Sequence, residues 1–167
     1  MAVTTTPDPK DLKWSHYTGP APKGSPHDAY TKPKFTLGNT TAVKDGEDYR
    51  LNKVDIKLEM ETLQCWVKAG KETDALLEHE RGHWIMQSLV AKEMQDALVA
   101  LRAADSGTLF NDATTKFNWY RTERSGFVDK KYDDDTNHGA NKPLQAIWDG
   151  KIKAWAAKGS IDLAGPP

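Results

Sequence analysis

The chain has a single cysteine, Cys65, among its 167 residues, so it closes no internal disulfide and its cysteine usage leaves the compartment open. Long apolar runs are missing as well. The longest, Ala97–Leu101, is a fraction of the roughly 20 residues a membrane-spanning helix needs. Neither sign of charge is in excess: 23 Lys plus Arg stand against 24 Asp plus Glu, a formal net charge of −1. Such a balance gathers no polyanion, which argues against nucleic acid as the main partner. The start of the chain is polar and carries Pro7 and Pro9, without the apolar stretch of a secretory leader. G-x-S-x-G, a Walker loop, a complete EF-hand loop and internal repeats are all lacking.

What is present organises the chain. Six Trp supply large anchors for a core. Residues 1–11 read as a disordered arm. Residues 12–33, with Trp14, Tyr17, four prolines and two glycines, read as extended chain and turns pinned by the aromatic rings. Over 34–68 the pattern is β: Val54, Ile56, Leu58 and Met60 alternate with charged residues after a turn at Gly46. Leu63, Cys65 and Val67 alternate on the opposite parity, which predicts a bulge or bend near Glu61–Thr62. Apolar residues at helical spacing from Leu76 to Leu101 predict one long helix over 74–104, capped by Thr73, with Gly82 inside it where another backbone approaches. A second helix is expected over 108–124 and a polar connection over 125–142. The last helix opens at Pro143, carries the stripe Leu144, Ile147, Trp148, Ile152 and Trp155, and stops at Gly159. The expected fold is α+β: a small, mostly antiparallel sheet packed on the long helix, with two further helices. A single domain covers 12–159, and 160–167 form a loose tail.

The chemistry sits in His79-Glu80-Arg81-Gly82-His83, an H-E-x-x-H motif. Residues i and i+4 share a helix face, so two imidazoles there can reach one Zn²⁺, with Glu80 placed to act as general base on a metal-activated water. Chance supplies roughly 0.007 such matches in a chain of this composition, so the motif is informative. A catalytic site needs a third protein ligand. The metzincin extension fails, because Leu89 stands where its third histidine would. His138 leads on residue type, ahead of the carboxylates Glu93, Asp105, Glu123 and Asp133. His16 and His27 lie in the proline-rich segment and read as surface residues.

The pair H-E-x-x-H and Tyr132-Asp133-x-x-Thr136-x-His138-Gly139 resembles a bacterial family of predicted secreted zinc-dependent proteases, DUF922. The opening L-x-W-x-x-Y-x-G over Leu12–Gly19, the strand ending at Trp66 and the position of Trp148 are similar too, so the likeness spans about residues 12–155. It implies a zincin-like site with His79, His83 and His138 as zinc ligands and Glu80 as base. Tyr132 and Asp133 would lie near the metal. Tyr132 would either donate to the oxyanion of the tetrahedral intermediate or pack on the histidine helix. Asp133 would orient a ligand or cap the local turn, as would Thr136. The implied partner is a peptide or protein substrate, and the implied location secreted or periplasmic. Two other readings stay open: a zinc-binding interaction module that cuts nothing, and a metal-free helical adaptor.

Overall fold

The computed structural model describes residues 2–163. It is an α+β fold of three small sheets and four α-helices, rather than one sheet and three helices. Strands β1 (Ala2–Thr6), β3 (Pro33–Leu37) and β6 (Asp55–Met60) form a sheet of order β1-β6-β3. β2 (Ala29–Tyr30) pairs with β7 (Trp66–Val67), and β4 (Thr41–Asp45) forms a hairpin with β5 (Asp48–Lys53), to which β8 (Arg102–Ala103) adds. The helices are α1 (Asp74–Val99), α2 (Ser106–Trp119), α3 (Ser125–Thr136) and α4 (Lys142–Lys158).

The alternation over 54–60 does what period two requires. Val54, Ile56, Leu58 and Met60 are all buried, and the charged residues between them face outward. β6 stops at Met60, a turn follows, and the opposite-parity segment ends in β7, which pairs with β2 in a separate two-stranded sheet. Pro33 opens β3, an edge strand, where a missing N–H costs little.

The disordered arm predicted over 1–11 is instead structured from residue 2, while Met1 lies outside the described residues. β1 pairs parallel with β6 in the register Val3↔Ile56 and Thr5↔Leu58. Its Val and Thr residues suit a half-buried edge, a signal their polarity disguised. The segment after it is stitched to α1: Trp84 Nε1 donates to the Pro7 carbonyl at 2.8 Å, and Arg81 donates to the Pro9 and Leu12 carbonyls at 3.1 Å each. At the other end Ile161 is buried and its N–H reaches Glu93 Oε1, while Arg124, paired with Glu93, donates to the Leu163 carbonyl. The tail predicted as loose is therefore docked as far as Leu163, and 164–167 lie outside the described residues.

α1 begins where the sequence predicts. Thr73 Oγ1 accepts from the Leu76 N–H at 3.2 Å. It ends at Val99, earlier than expected, because Arg102–Ala103 leave for the sheet. The polar connection expected over 125–142 is helical through Thr136: α2 runs into a π-helical turn at Tyr120–Arg124 and on into α3. Its buried positions after Phe117 are Arg124, Ser125, Val128, Tyr132 and Thr136, so helical spacing is kept while apolar character is lost. That is why a hydrophobicity reading missed it. On α4 the buried face is Gln145, Trp148, Ile152 and Trp155, whereas Leu144 and Ile147 are exposed. Gln145 takes the inner place for a polar reason given below.

Gly82 lets α1 approach a side chain rather than another backbone. A Cβ there would lie 2.5 Å from the Tyr132 hydroxyl oxygen. Tyr132 is fully buried and its hydroxyl is held by Gln145, so the ring cannot retreat. Ala gains about 1 kcal/mol over Gly inside a helix, but overpacking a rigid core costs about 1–3 kcal/mol. Gly82→Ala should therefore lower the urea midpoint despite its better helix propensity; a midpoint at or above wild type would contradict this packing.

Candidate metal centre

α1 and α3 run antiparallel, and their contacts repeat once per turn. Gln87 meets Ser125, His83 meets Asp129, and His79 meets Asp133. The i, i+4 spacing of the two histidines on α1 is answered by the i, i+4 spacing of the two aspartates on α3.

Hydrogen bonds fix both tautomers. Gln145 Nε2 donates to Asp149 Oδ1 at 2.7 Å and to the Tyr132 hydroxyl at 2.5 Å. Its Oε1 therefore faces His79 Nδ1, 3.0 Å away, and that nitrogen carries the proton. His83 Nδ1 lies 2.9 Å from Asp129 Oδ1 and donates in the same way. Each ring is thus left with Nε2 as its free position. The two Nε2 atoms are 3.2 Å apart, and Asp133 Oδ1 lies 3.1 Å from one and 3.0 Å from the other. Without a proton or a metal ion among them, two imidazole lone pairs and a carboxylate oxygen so close would repel. Ligand atoms about 2.0–2.1 Å from a tetrahedral ion are about 3.3–3.4 Å apart, close to these spacings. The group His79, His83 and Asp133, with ligand atoms all within 4.8 Å of one another, can hold a metal ion.

His138 comes to the same place by a turn. Asn137, His138 and Gly139 all adopt positive φ, at 49°, 51° and 76°, which folds the chain back from the end of α3. Left-handed geometry in two non-glycine residues is strained, and such strain gathers at functional sites. Thr136 Oγ1 locks the turn, donating to the Tyr132 carbonyl and accepting from the Gly139 N–H. Gly139 packs on His79, where a Cβ would meet the ring at 3.1 Å. His138 Nδ1 is 3.1 Å from Asp133 Oδ1, and its ring packs on His27 with centroids 4.1 Å apart.

Glu80 is buried, and its Oε2 accepts from the Thr31 hydroxyl at 2.5 Å. It lines a cleft of about 160 Å³ together with His79, His83, Asp133, His138 and Tyr30. Thr136 caps the local turn, one of the roles open to it. Tyr132 packs on the histidine helix, the other role open to it, and does not line the cleft. Its ring stacks on His79 at 4.6 Å and meets His83 edge-on at 4.8 Å, with the hydroxyl turned to Gln145 and Gly82. The tyrosine that lines the cleft is Tyr30. Of the alternative carboxylates, Glu93 is paired with Arg124 and Asp105 caps α2, whereas Asp133 is at the centre. His27, read as a surface residue, lines the cleft too. Asp129 and Gln145 were missed. The spacing Asp129–Asp133 carried the signal, but it becomes readable only once 125–136 is known to be helical.

Charge follows from this packing. Burial works against a charged His83, yet Asp129 and Asp133 outweigh it and raise its pKa well above the ordinary 6.5. Burial likewise works against an ionised Asp133, but its hydrogen-bonding contacts with His79 and His83 and the charges of His83 and His138 hold its carboxyl far below the usual range.

Compared with family models, with curated proteins and with solved structures, the chain matches none of them. The likeness to the protease family therefore rests on the motif residues themselves. Among the described residues no helix is long and apolar enough to cross a membrane.

The metal-free protein should carry a proton where a metal would sit. A raised His83 stabilises the fold fully below its ordinary 6.5, and that stabilisation is lost as pH rises through the higher folded value. The depressed Asp133 contributes above its ordinary 3.8, and its contribution is lost as pH falls through the folded value. Zinc added to metal-free protein near pH 7 should release about one proton, read by calorimetry in buffers of different ionisation enthalpy. Zinc binding without proton release would contradict this arrangement of donors.

Proposed function

We propose that the chain is a zinc-dependent peptidase that hydrolyses peptide bonds in a peptide or protein substrate. One observation carries the reading: two Nε2 lone pairs, fixed by their partners, converge with an Asp133 oxygen in a cleft that Glu80 also lines. Imidazole and carboxylate donors at these spacings suit zinc. His79 and His83 would hold it, with the third ligand supplied by the Asp133–His138 turn. Asp133 is favoured there because the same Oδ1 lies close to both imidazoles. His138, the ligand the family resemblance implies, has its Nδ1 3.1 Å from that oxygen.

A bound zinc ion supplies Lewis acidity and makes water acidic enough to ionise near neutral pH. The protein's own groups do the remainder. Glu80 takes a proton from the attacking water and delivers it to the amine that leaves as the C–N bond breaks. Asp129 and Gln145 keep the two imidazoles in the tautomer that presents Nε2. Tyr132 backs the His79 ring and is itself packed on Trp148, with ring centroids 4.6 and 5.2 Å apart.

A closed structural zinc site has no use for a buried carboxylate in an open cleft beside the metal, which weighs against the interaction module. Glu80→Gln should retain zinc by elemental analysis and lose casein cleavage by about 10²–10⁴-fold. A Glu80→Gln protein that cleaves casein at the wild-type rate would overturn the reading.

A further inference from the structure

We propose that Thr31 is a positioning residue for Glu80, and that Tyr17 holds Thr31 in that role. Thr31 lies in the two-residue connection between β2 and β3 and is buried, with 6% of its surface exposed. Its hydroxyl carries one proton, which goes to Glu80 Oε2 at 2.5 Å. Tyr17 Oη lies 2.7 Å from Thr31 Oγ1. Because the Thr31 proton is committed to a carboxylate, Tyr17 must be the donor in that second bond. The result is a directed chain, Tyr17 to Thr31 to Glu80.

This chain decides what Glu80 can do. A glutamate on a helix has several rotamers, and a base must stay in one of them to work. A charge-assisted hydrogen bond in a buried place is among the stronger ways to hold it. With Oε2 engaged by Thr31, Oε1 is the oxygen left to the cleft. Tyr17 is fixed in its turn: the N–H groups of Thr18 and Gly19 donate to the Thr62 and Cys65 carbonyls at 3.1 and 2.8 Å, and Trp14 packs edge-on at 4.9 Å. The opening motif Leu12–Gly19 supplies no metal ligand. It orients the base.

The consequence for catalysis rests on the peptidase reading, but the contact is testable apart from it. A double-mutant cycle with Thr31→Val, Glu80→Leu and the pair, read by thermal denaturation of the zinc-loaded protein, measures their coupling. Thr31→Val leaves a buried charge without its donor, so it should cost several degrees in wild type and much less beside Glu80→Leu. Additive shifts would overturn the proposal. With casein as probe, Thr31→Val should lower kcat about ten- to hundredfold at nearly constant KM, and Thr31→Ser should recover most of it. Tyr17→Phe should fall between them. An unchanged kcat in Thr31→Val would also overturn the proposal. Clear coupling in a zinc-loaded wild type that cleaves casein no faster than Glu80→Gln would uphold the contact and remove the peptidase reading instead.

Discussion

Everything around the cleft answers to the seam between α1 and α3. Two imidazoles on one helix face two carboxylates on the other, one turn apart, with Asp133 Oδ1 within 3.1 Å of both Nε2 atoms. Burying that much polarity without partners would cost several kcal/mol, so the surrounding elements are shaped to satisfy it. Gln145 occupies the inner face of α4 in place of an apolar residue because His79 Nδ1 needs an acceptor. Gly82 and Gly139 remove side chains where Tyr132 and His79 must pack. The π-helical turn at Tyr120–Arg124 joins α2 to α3, and Arg124 at its end pairs with Glu93 of α1.

The β layer supplies the other half of the site. Its small sheets bring Tyr30 and Thr31 over the face of α1 that carries Glu80. The segment after the N-terminal strand is tied through the Pro7, Pro9 and Leu12 carbonyls to Trp84 and Arg81, which flank His83 on that helix. The Glu80 carboxylate is therefore held from the N-terminal β side, and the imidazoles of His79 and His83 from α4 and α3.

Much of this was legible in the sequence because it depends on local rules. Thr73 caps α1, the alternation over 54–60 buries one face of β6, and Gly159 ends α4 in the left-handed conformation. The H-E-x-x-H spacing brings both histidines together because any helix does so. The third partner was harder, since it depends on α3. That helix buries Arg124, Ser125 and Thr136, polar residues satisfied by tertiary partners, so its pattern resembles a loop. Reading it as a loop hid Asp129 and gave Tyr132 a freedom that its burial removes. The N-terminal strand was hidden for a related reason. A threonine-rich edge is half solvated, and its parallel pairing to β6 is long-range.

If the two histidines and Asp133 hold a metal, the purified protein will carry it. Elemental analysis of protein incubated with zinc and then desalted should find about one zinc per chain, and His83→Ala should find almost none. Wild-type protein that retains no zinc, and whose thermal midpoint is unmoved by a chelator, would mean that this seam binds no metal.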